Sequence, residues 1–558
     1  MKTIAGSKVQ FSKGVRLAVV VLWFLVVVGA SANNIYIAQS AAGSANGSSC
    51  ANAYAYAYFN TPGNWTSGTP SGVQIGPGST VYICGTISGS AGSTVLTFQG
   101  SGSGGSPITL TFAPGAIVQA PYCPPAAGGS AGGCISANGE SYIVIDGNGQ
   151  SGTIRNSSNG ASSGSCPAGT CSYEQTSTLL DIQNCSNCTV QNLIVGPTYI
   201  EVQNAASENS TNEVALIANS SNVSLVGNAI NNCGWCVEFF YLNNTTNFQA
   251  YNNTFSTFGH AFAVAAGSSG AACTGPCSII HDNQIGPAGL NWDASGCPNH
   301  KDGIHYFGSG ASSMAGIYVY NNWFGGDWGV CPTGFIYTDN VNPNINGFYM
   351  WNNVFVVVNA TFENTNGWVT ASNSGGGLLY SLNNTLVGPG VANNALAFSY
   401  YPSNTSVNVT NNVITGIDNP IAISGYSGGQ IDYNLYGSAL CNFGNCFTWN
   451  GSFEGSLSAW KTACSCDSHS TQNSAPMLSA TGAPQSGSPV VGAGTNLTGF
   501  CIGSLTPLCS ATSDGATVVP VLRPSSGPWD IGAYQYVPPP SGGIRSGPTV
   551  QAGSVVKQ

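Results

Sequence analysis

Ile317-Tyr-Val-Tyr-Asn-Asn322 and Phe348-Tyr-Met-Trp-Asn-Asn353 are two copies of one phrase, in which alternating apolar, β-prone residues run into a pair of asparagines. The same phrase reads Val223-Ser-Leu-Val-Gly-Asn228, Phe248-Gln-Ala-Tyr-Asn-Asn253 and Ser278-Ile-Ile-His-Asp-Asn283 upstream. Downstream it reads Leu379-Tyr-Ser-Leu-Asn-Asn384 and Val407-Asn-Val-Thr-Asn-Asn412, with weaker copies at Asn192 and Asn434. Alternation with period two marks a strand. Asparagine tolerates the left-handed backbone of a sharp corner, and stacked asparagines can hydrogen-bond to one another as a ladder. The closing asparagines are separated by between 22 residues (Asn412 to Asn434) and 39 (Asn283 to Asn322). Variable spacing above a minimum in the low twenties suits a coil of short strands with loops inserted at its corners, and does not suit a helical repeat of fixed length.

A second alternating segment recurs once per copy, at Val237-Glu-Phe239, Phe262-Ala-Val264, Ile304-His-Tyr306, Leu396-Ala-Phe398 and Ile421-Ala-Ile423. Such units bury their inner residues only by stacking on neighbours. The chain is therefore predicted to be all-β, a right-handed parallel β-helix with an N-terminal cap and a Cys-rich C-terminal cap. Residues 33–135 read as the N-terminal cap and first coils, and 136–437 as the regular body. Residues 438–537 read as the last coils and cap, with a helical pattern near Ser456–Ala463, and 538–558 as a Gly/Ser/Pro tail.

Lys2, Lys8, Lys13 and Arg16 precede the apolar run Leu17–Val28 and Ala30-Ser31-Ala32, the pattern of a signal peptide occupying residues 1–32. The run is too short to span a bilayer, and no later segment could do so. The expected location is secreted or at the cell surface. All 20 cysteines follow Ala32, which points to disulfides. Local spacing suggests the pairs Cys166/Cys171, Cys185/Cys188, Cys233/Cys236, Cys273/Cys277 and Cys501/Cys509. Cys50–Cys84 and Cys297–Cys331 are the longer candidates. Cys464 and Cys466 look too close to join, so each is expected to meet Cys441 or Cys446. Zinc at Cys185/Cys188 and Cys233/Cys236 is the competing reading.

Only 5% of the 558 residues are charged, against roughly 25% in ordinary domains, but the abundant aromatics argue against disorder. Without residues 1–32, six Lys and Arg face twenty Asp and Glu. That balance repels nucleic acid, and it favours a neutral or weakly charged polysaccharide as partner.

The opening strand from Asn33, the turn at Ile75-Gly-Pro-Gly78, the Asn-Asn coils and Trp529-Asp-Ile-Gly-Ala-Tyr534 resemble the secreted bacterial right-handed parallel β-helix proteins of the pectate-lyase-like superfamily. The likeness spans nearly all of residues 33–537. It implies the fold and a carbohydrate-related role. The Asn-Thr-Asp, Asp-Asp, Gly-His-Gly and Arg-Ile-Lys set of polygalacturonases is absent, as is the arginine row of pectate lyases, so no single activity is implied.

Four of the five histidines, His260, His281, His300 and His305, fall within residues 260–305, together with Asp282, Asp293, Lys301 and Asp302; Asp327 and Asp339 follow. Aligning the second strands places His260 and Asp302 at one position of consecutive coils, about 4.8 Å apart. His305 then points outward in the column of Ala263 and Glu238. His260, Asp302 and His305 are the candidate catalytic residues, as general acid or base on a glycosidic bond. Lys301 is the one candidate base for β-elimination in the body, and Asp327 lies nearby. Asp282, Asp302 and Asp327 form a candidate Ca²⁺ set. The plainer alternative is that Asp302-Gly303 is a turn. Outward aromatic columns, with Tyr251, His281, Tyr320 and Trp351 in one and Tyr318 and Tyr349 in the next, are candidate sugar platforms, joined by Trp292 on the inserted loop. The alternative is that loops bury these rings. The first reading is an exported polysaccharide-degrading enzyme, a lyase or glycoside hydrolase acting in a groove on the β-helix, and the alternative is a non-catalytic glycan-binding or structural surface or matrix protein. Catalysis predicts that His260, Asp302 and His305 share a groove with the aromatic columns.

Overall fold

The computed structural model describes residues 33–538, except 127–129, 160–174, 199–211, 242–246, 267–271, 274, 290–296, 298–299, 309–312, 340–343, 363–366, 374–376, 391–395, 403–405, 426–427, 438–445 and 512–519. The chain winds as a right-handed parallel β-helix. Its first sheet stacks the repeated phrase: Phe248–Tyr251 does not stand alone but pairs with Ser278–His281, then Ser313–Tyr320, Asn344–Trp351 and Leu379–Leu382, all parallel and in register. The remaining strands form a second sheet that turns through the other walls. Inward residues such as Ile317, Val319, Phe348 and Met350 are fully buried and belong to one core running along the axis. Residues 33–135 already contain rungs of this coil, since Asn34–Ala38 pairs with Thr80–Cys84 and that with Ile108–Phe112.

The two asparagines of each phrase do different work. The first sits at the corner with φ between +51° and +59° at Asn252, Asn321, Asn352, Asn383 and Asn411, and Asp282 takes the same conformation in its rung. The second is buried in a ladder. Nδ2 of Asn228, Asn253, Asn283, Asn322, Asn353, Asn384 and Asn412 each donates to Oδ1 of the next member at 2.9–3.1 Å, and Asn434 ends the series on Asp467. Each Oδ1 also accepts the preceding member's backbone N–H, as Asn353 does from Asn322 at 3.1 Å. Every amide hydrogen and lone pair is thereby used in an interior where an unpaired one is costly. Asn192 is not a member. It occupies the left-handed corner (φ +55°), and its follower Leu193 donates its N–H to Asn228, so that copy reads one residue out of step with the ladder.

The second strands also register as expected, with Val237, Phe262 and Ile304 in one column. The exception is that Phe398 rather than Leu396 faces Ile421, a two-residue shift that preserves the inward and outward faces. The helix is Leu457–Cys464, capped by Ser456, whose side chain accepts from Ala459 N–H. With Phe447 and Trp449 it closes the end of the core through Trp460.

Disulfides join Cys50–Cys84, Cys185–Cys188, Cys233–Cys236, Cys273–Cys277, Cys297–Cys331 and Cys501–Cys509, so the two Cys-X-X-Cys pairs are cystines and not zinc ligands. Cys123–Cys134 is a further bridge that spacing did not single out. Cys464 and Cys466 bond to each other, against expectation. Ser465 between them is the left-handed C-cap of the helix (φ +51°, ψ +39°), which folds the chain back and brings the two Cα atoms to 5.1 Å. Cys446 is also in a disulfide; Cys166, Cys171 and Cys441 lie outside the described residues.

Beyond residue 473 the C-terminal segment leaves the end of the coil. It returns along the corner column as a strap. Asn352, Asn383 and Asn411 donate from their side chains to the carbonyls of Ser510, of Asp530 and Gly532, and of Thr495 respectively. Arg523 lies buried over Trp529, its guanidinium donating to Asn352 Oδ1 and to the carbonyls of Gly532 and Ala533. Burial pushes the pKa of Arg523 down to about 9 despite the attraction of Asp530.

Candidate functional site

Asp302 and its neighbours stand on the strand Lys301–Gly308, between Thr254–Ala266 and Pro332–Thr338 of the second sheet. Asp302-Gly303 is therefore strand and not a turn. A Cβ on Gly303 would come within 2.4 Å of the Phe335 carbonyl oxygen and 2.8 Å of the Phe324 ring, so this position faces the core and admits no side chain. The pairing with the next rung slips at Lys301/Asp302, and Ile304 enters the core while Asp302 and His305, both buried, stay outside the apolar cluster.

His260 and Asp302 are register partners, and His305 follows Ala263 and Glu238 in its column. Oδ2 of Asp302 has Nε2 of His260 at 3.2 Å, Nδ1 of His305 at 3.5 Å and Nε2 of His300 at 3.6 Å. None of the three is aligned as a hydrogen bond, and Oδ2, both nitrogens of His260 and Nδ1 of His305 are buried without a hydrogen-bonding partner. The other oxygen, Oδ1, accepts the Thr333 hydroxyl and the Gly334 N–H of the next rung. Nε2 of His305 is 3.3 Å from Oδ1 of Asp339. Trp235 and Phe307 wall the cluster, with Trp235 5.2 Å from the His260 ring and Phe307 5.0 Å from that of His305. Burial pushes Asp302 up, but His260 contact and the field of the three imidazoles outweigh it, holding the carboxyl well below its ordinary range. Burial also drives His260 down to about 4, against the pull of Asp302. His300 keeps 40% of its side chain exposed and is the open edge of the cluster.

The other predicted residues go elsewhere. Lys301 is buried, and its ammonium donates to the Gly289 carbonyl. Asp327 accepts from Gly329 N–H and from the Asn359 amide. Asp282 is a corner residue with one carboxylate oxygen 2.6 Å from Nδ1 of His281. Asp282, Asp302 and Asp327 do not converge; among the described residues the single group of three or more metal-competent side chains is His260, His300, Asp302 and His305. Trp292 and Asp293 lie outside the described residues.

Two rungs before His305 the same wall holds a feature that spacing did not reveal. Glu213 and Glu238 are buried together, with the Thr178 hydroxyl donating to Glu213 Oε2 at 2.8 Å. Burial pushes Glu213 well above the ordinary carboxylate range, hydrogen bonding and repulsion from Glu238 add to it, and burial raises Glu238 as well. Nothing in the local sequence marks Glu213, and counting register would not find it either, because Leu216 rather than Glu213 is the register partner of Glu238.

The aromatic columns form as expected. Tyr251, His281, Tyr320 and Trp351 stack with centroids 4.9, 4.7 and 4.4 Å apart and planes within 7°. Rings stacked face to face cover one another, so this column offers solvent its edges rather than a platform. Trp351 is fully buried beneath the strap with Leu382, Leu497, Leu508 and Trp529, which removes it as a sugar contact. The neighbouring column behaves differently. Tyr318 stacks on Tyr349, but Tyr349 meets Tyr380 at 88° and Tyr380 meets Phe500 of the strap at 81°. These four rings line a groove of about 410 Å³ with Leu378, Ile502 and Leu505. The columns stand on the first sheet and the His/Asp cluster on the second, and no residue of the cluster is among those lining this groove.

No family model and no curated protein matches the chain. Among solved structures it is similar to a mutant tailspike protein of E. coli bacteriophage HK620 in complex with a pentasaccharide (10% identity, TM-score 0.38, covering 67% of this chain and 72% of that one). It is also similar to a GH136 lacto-N-biosidase from Eubacterium ramulus (10%, 0.41, 71% and 66%) and to pectate lyase Pel9A (13%, 0.32, 91% and 98%). At these levels the likeness is one of winding, and the fold rests on the strand register described above.

Proposed function

We propose that the chain is an exported carbohydrate-active β-helix protein that binds a neutral or weakly charged polysaccharide in the groove between its first sheet and its strap. The observation that carries this reading is the set of rings, Tyr318, Tyr349, Tyr380 and Phe500, that line one groove, with Tyr380 set edge-to-face against both Tyr349 and Phe500. Pyranose C–H faces pack on such rings, and exposed apolar surface of this kind calls for a partner. Arg155 and Lys301 are the sole cations between residues 33 and 460, and neither lines the groove, which disfavours polyuronates. The N-terminal pattern of residues 1–32 and the many disulfides support export. Among the described residues no helix is long and apolar enough to cross a membrane.

A glycan array on the purified oxidised chain tests the reading. Binding to neutral glycans that Tyr349→Ala and Phe500→Ala both weaken supports it; absence of binding to any glycan overturns it.

Cleavage by lyase or hydrolase chemistry is the second reading, favoured by Asp302 Oδ2 lying within 3.6 Å of three imidazole nitrogens. It requires product from a bound glycan, read as reducing ends or as ultraviolet absorbance, and loss of that product in Asp302→Asn. Binding is put first because the groove's lining contains none of the cluster's residues.

A further inference from the structure

We infer that His260, His300, Asp302 and His305 bind one divalent first-row transition cation of the Zn²⁺ type, a site that stands apart from the glycan groove and goes beyond the function proposed for it. Three imidazoles and one carboxylate are the donor set of such ions, whereas Ca²⁺ asks for six to eight oxygens. The spacing fits: at bond lengths near 2.0–2.1 Å, tetrahedral donors lie about 3.3–3.4 Å apart, and Asp302 Oδ2 has its three nitrogens at 3.2, 3.5 and 3.6 Å. All four donor atoms lie within 4.8 Å of one another.

The surroundings aim these atoms. Asp302 commits Oδ1 to Thr333 and Gly334, which leaves Oδ2 facing the imidazoles. His305 presents Nδ1 to the cluster while Nε2 faces Asp339, the carboxylate–histidine arrangement that orients and strengthens a metal-bound imidazole. Buried donors with no hydrogen-bonding partner, at His260, Asp302 Oδ2 and His305 Nδ1, are the atoms that a cation would satisfy. An ion pair alone would align at least one N–H on Oδ2; here none is aligned. His300, at the open edge, supplies the fourth donor and a way in. The remaining histidines, His281 and His469, each face one carboxylate on the surface and make no such group.

The test uses the full oxidised chain stripped with chelator and then titrated with Co²⁺, whose visible absorption reports tetrahedral coordination, and with Zn²⁺ in competition. One equivalent of Co²⁺ with tetrahedral absorption, displaced by Zn²⁺ and not by Ca²⁺, is expected. His300→Ala, a change at the exposed edge, is expected to weaken binding by at least about a hundredfold. Asp339→Asn, which changes only the group facing His305 Nε2, is expected to weaken it by roughly ten- to a hundredfold. Both are expected to keep the metal-free unfolding curve of the parent. Uptake well below one equivalent by the parent chain, or binding unaltered in His300→Ala, overturns the inference. Glycan binding measured with and without Zn²⁺ reads the groove separately, so failure of either idea leaves the other standing.

Discussion

Nε2 of His260 lies 3.2 Å from Oδ2 of Asp302 although 42 residues separate them along the chain, because the two occupy one register position on consecutive rungs. Asp302 also ties its own rung to the next through Thr333 and Gly334. Asp302→Ala strands the Thr333 hydroxyl and the Gly334 N–H in the interior, at a cost of about 2–5 kcal/mol. Asp302→Asn keeps an acceptor for both and is expected to cost less than half as much. Chemical denaturation of the two variants checks the ordering; equal losses would mean that those hydrogen bonds contribute nothing.

Adjacent asparagines are expected to respond in opposite ways. Asn253→Ala removes a donor to Leu225 O and Asn283 Oδ1 and an acceptor for the amide and backbone N–H of Asn228. Leaving those groups buried and unpaired costs roughly 2–4 kcal/mol. Asn252→Gly sits on the exposed corner at φ +57°, where glycine carries no steric penalty, and stays within about 0.5 kcal/mol of the parent. Melting curves that rank the two variants the other way would remove the ladder as a source of stability.

The Glu213–Glu238 pair sets a pH dependence. With its folded pKa raised by burial and by Glu238, Glu213 keeps a proton that the unfolded chain releases in the ordinary carboxylate range. Stability from this group is therefore full below that range and declines as pH rises toward the folded pKa. Glu213→Gln retains a donor with no proton to lose. Its melting temperature is expected to exceed that of the parent at about pH 8 and to lose the advantage near pH 4. Parallel pH profiles for the two proteins would show that Glu213 holds no such proton.

Arg523 holds the strap, so Arg523→Met is expected to loosen it. Asn352 Oδ1 and the Ala533 carbonyl lose the guanidinium's donors, while Gly532 O keeps the one from Asn383, at a cost of about 2–4 kcal/mol, and Trp351 beneath gains solvent access. Acrylamide quenching of tryptophan fluorescence, with limited proteolysis within residues 474–536, reads both effects. Unchanged quenching would mean that the apolar contacts of Leu497, Leu508 and Trp529 suffice.

In the groove, Tyr349→Ala and Phe500→Ala are each expected to weaken glycan binding by roughly tenfold, the scale of losing one ring contact of about 1.4 kcal/mol. Tyr251→Ala, in the edge-on stack of the first sheet, is expected to leave affinity within about twofold. Isothermal titration with whichever neutral oligosaccharide the array selects makes the comparison, and an equal loss at Tyr251 would move the binding surface to the stack.

Whatever depends on period-two alternation was legible in the chain alone. The stacked phrase, the His260–Asp302 register, the column through Glu238, Ala263 and His305, and the order of Tyr251, His281, Tyr320 and Trp351 all follow from counting. What needed coordinates lacks a period. The strap that buries Trp351 arrives from more than 140 residues downstream with no repeat to announce it. Glu213 meets Glu238 across a rung boundary. Cys464 reaches Cys466 because Ser465 turns left-handed, and Asn192 copies the spelling of the ladder one step out of phase. The wall on which the cluster stands relative to the aromatic rings was likewise beyond reach, because periodicity orders residues within a sheet and does not orient one sheet against another.

A pile of near-identical units has no length of its own; another could be added at any level without disturbing those above and below. Here the returning tail removes that freedom. Its anchors at Asn352, Asn383 and Asn411 are spaced one unit apart, and the tail meets them in the order Asn411, Asn352, Asn383, so the C-terminal segment clamps three consecutive units together. Duplicating or deleting a unit before Asn352 leaves the clamp matched, whereas the same change between Asn352 and Asn411 puts an anchor out of phase, so that stretch is bound to keep its count.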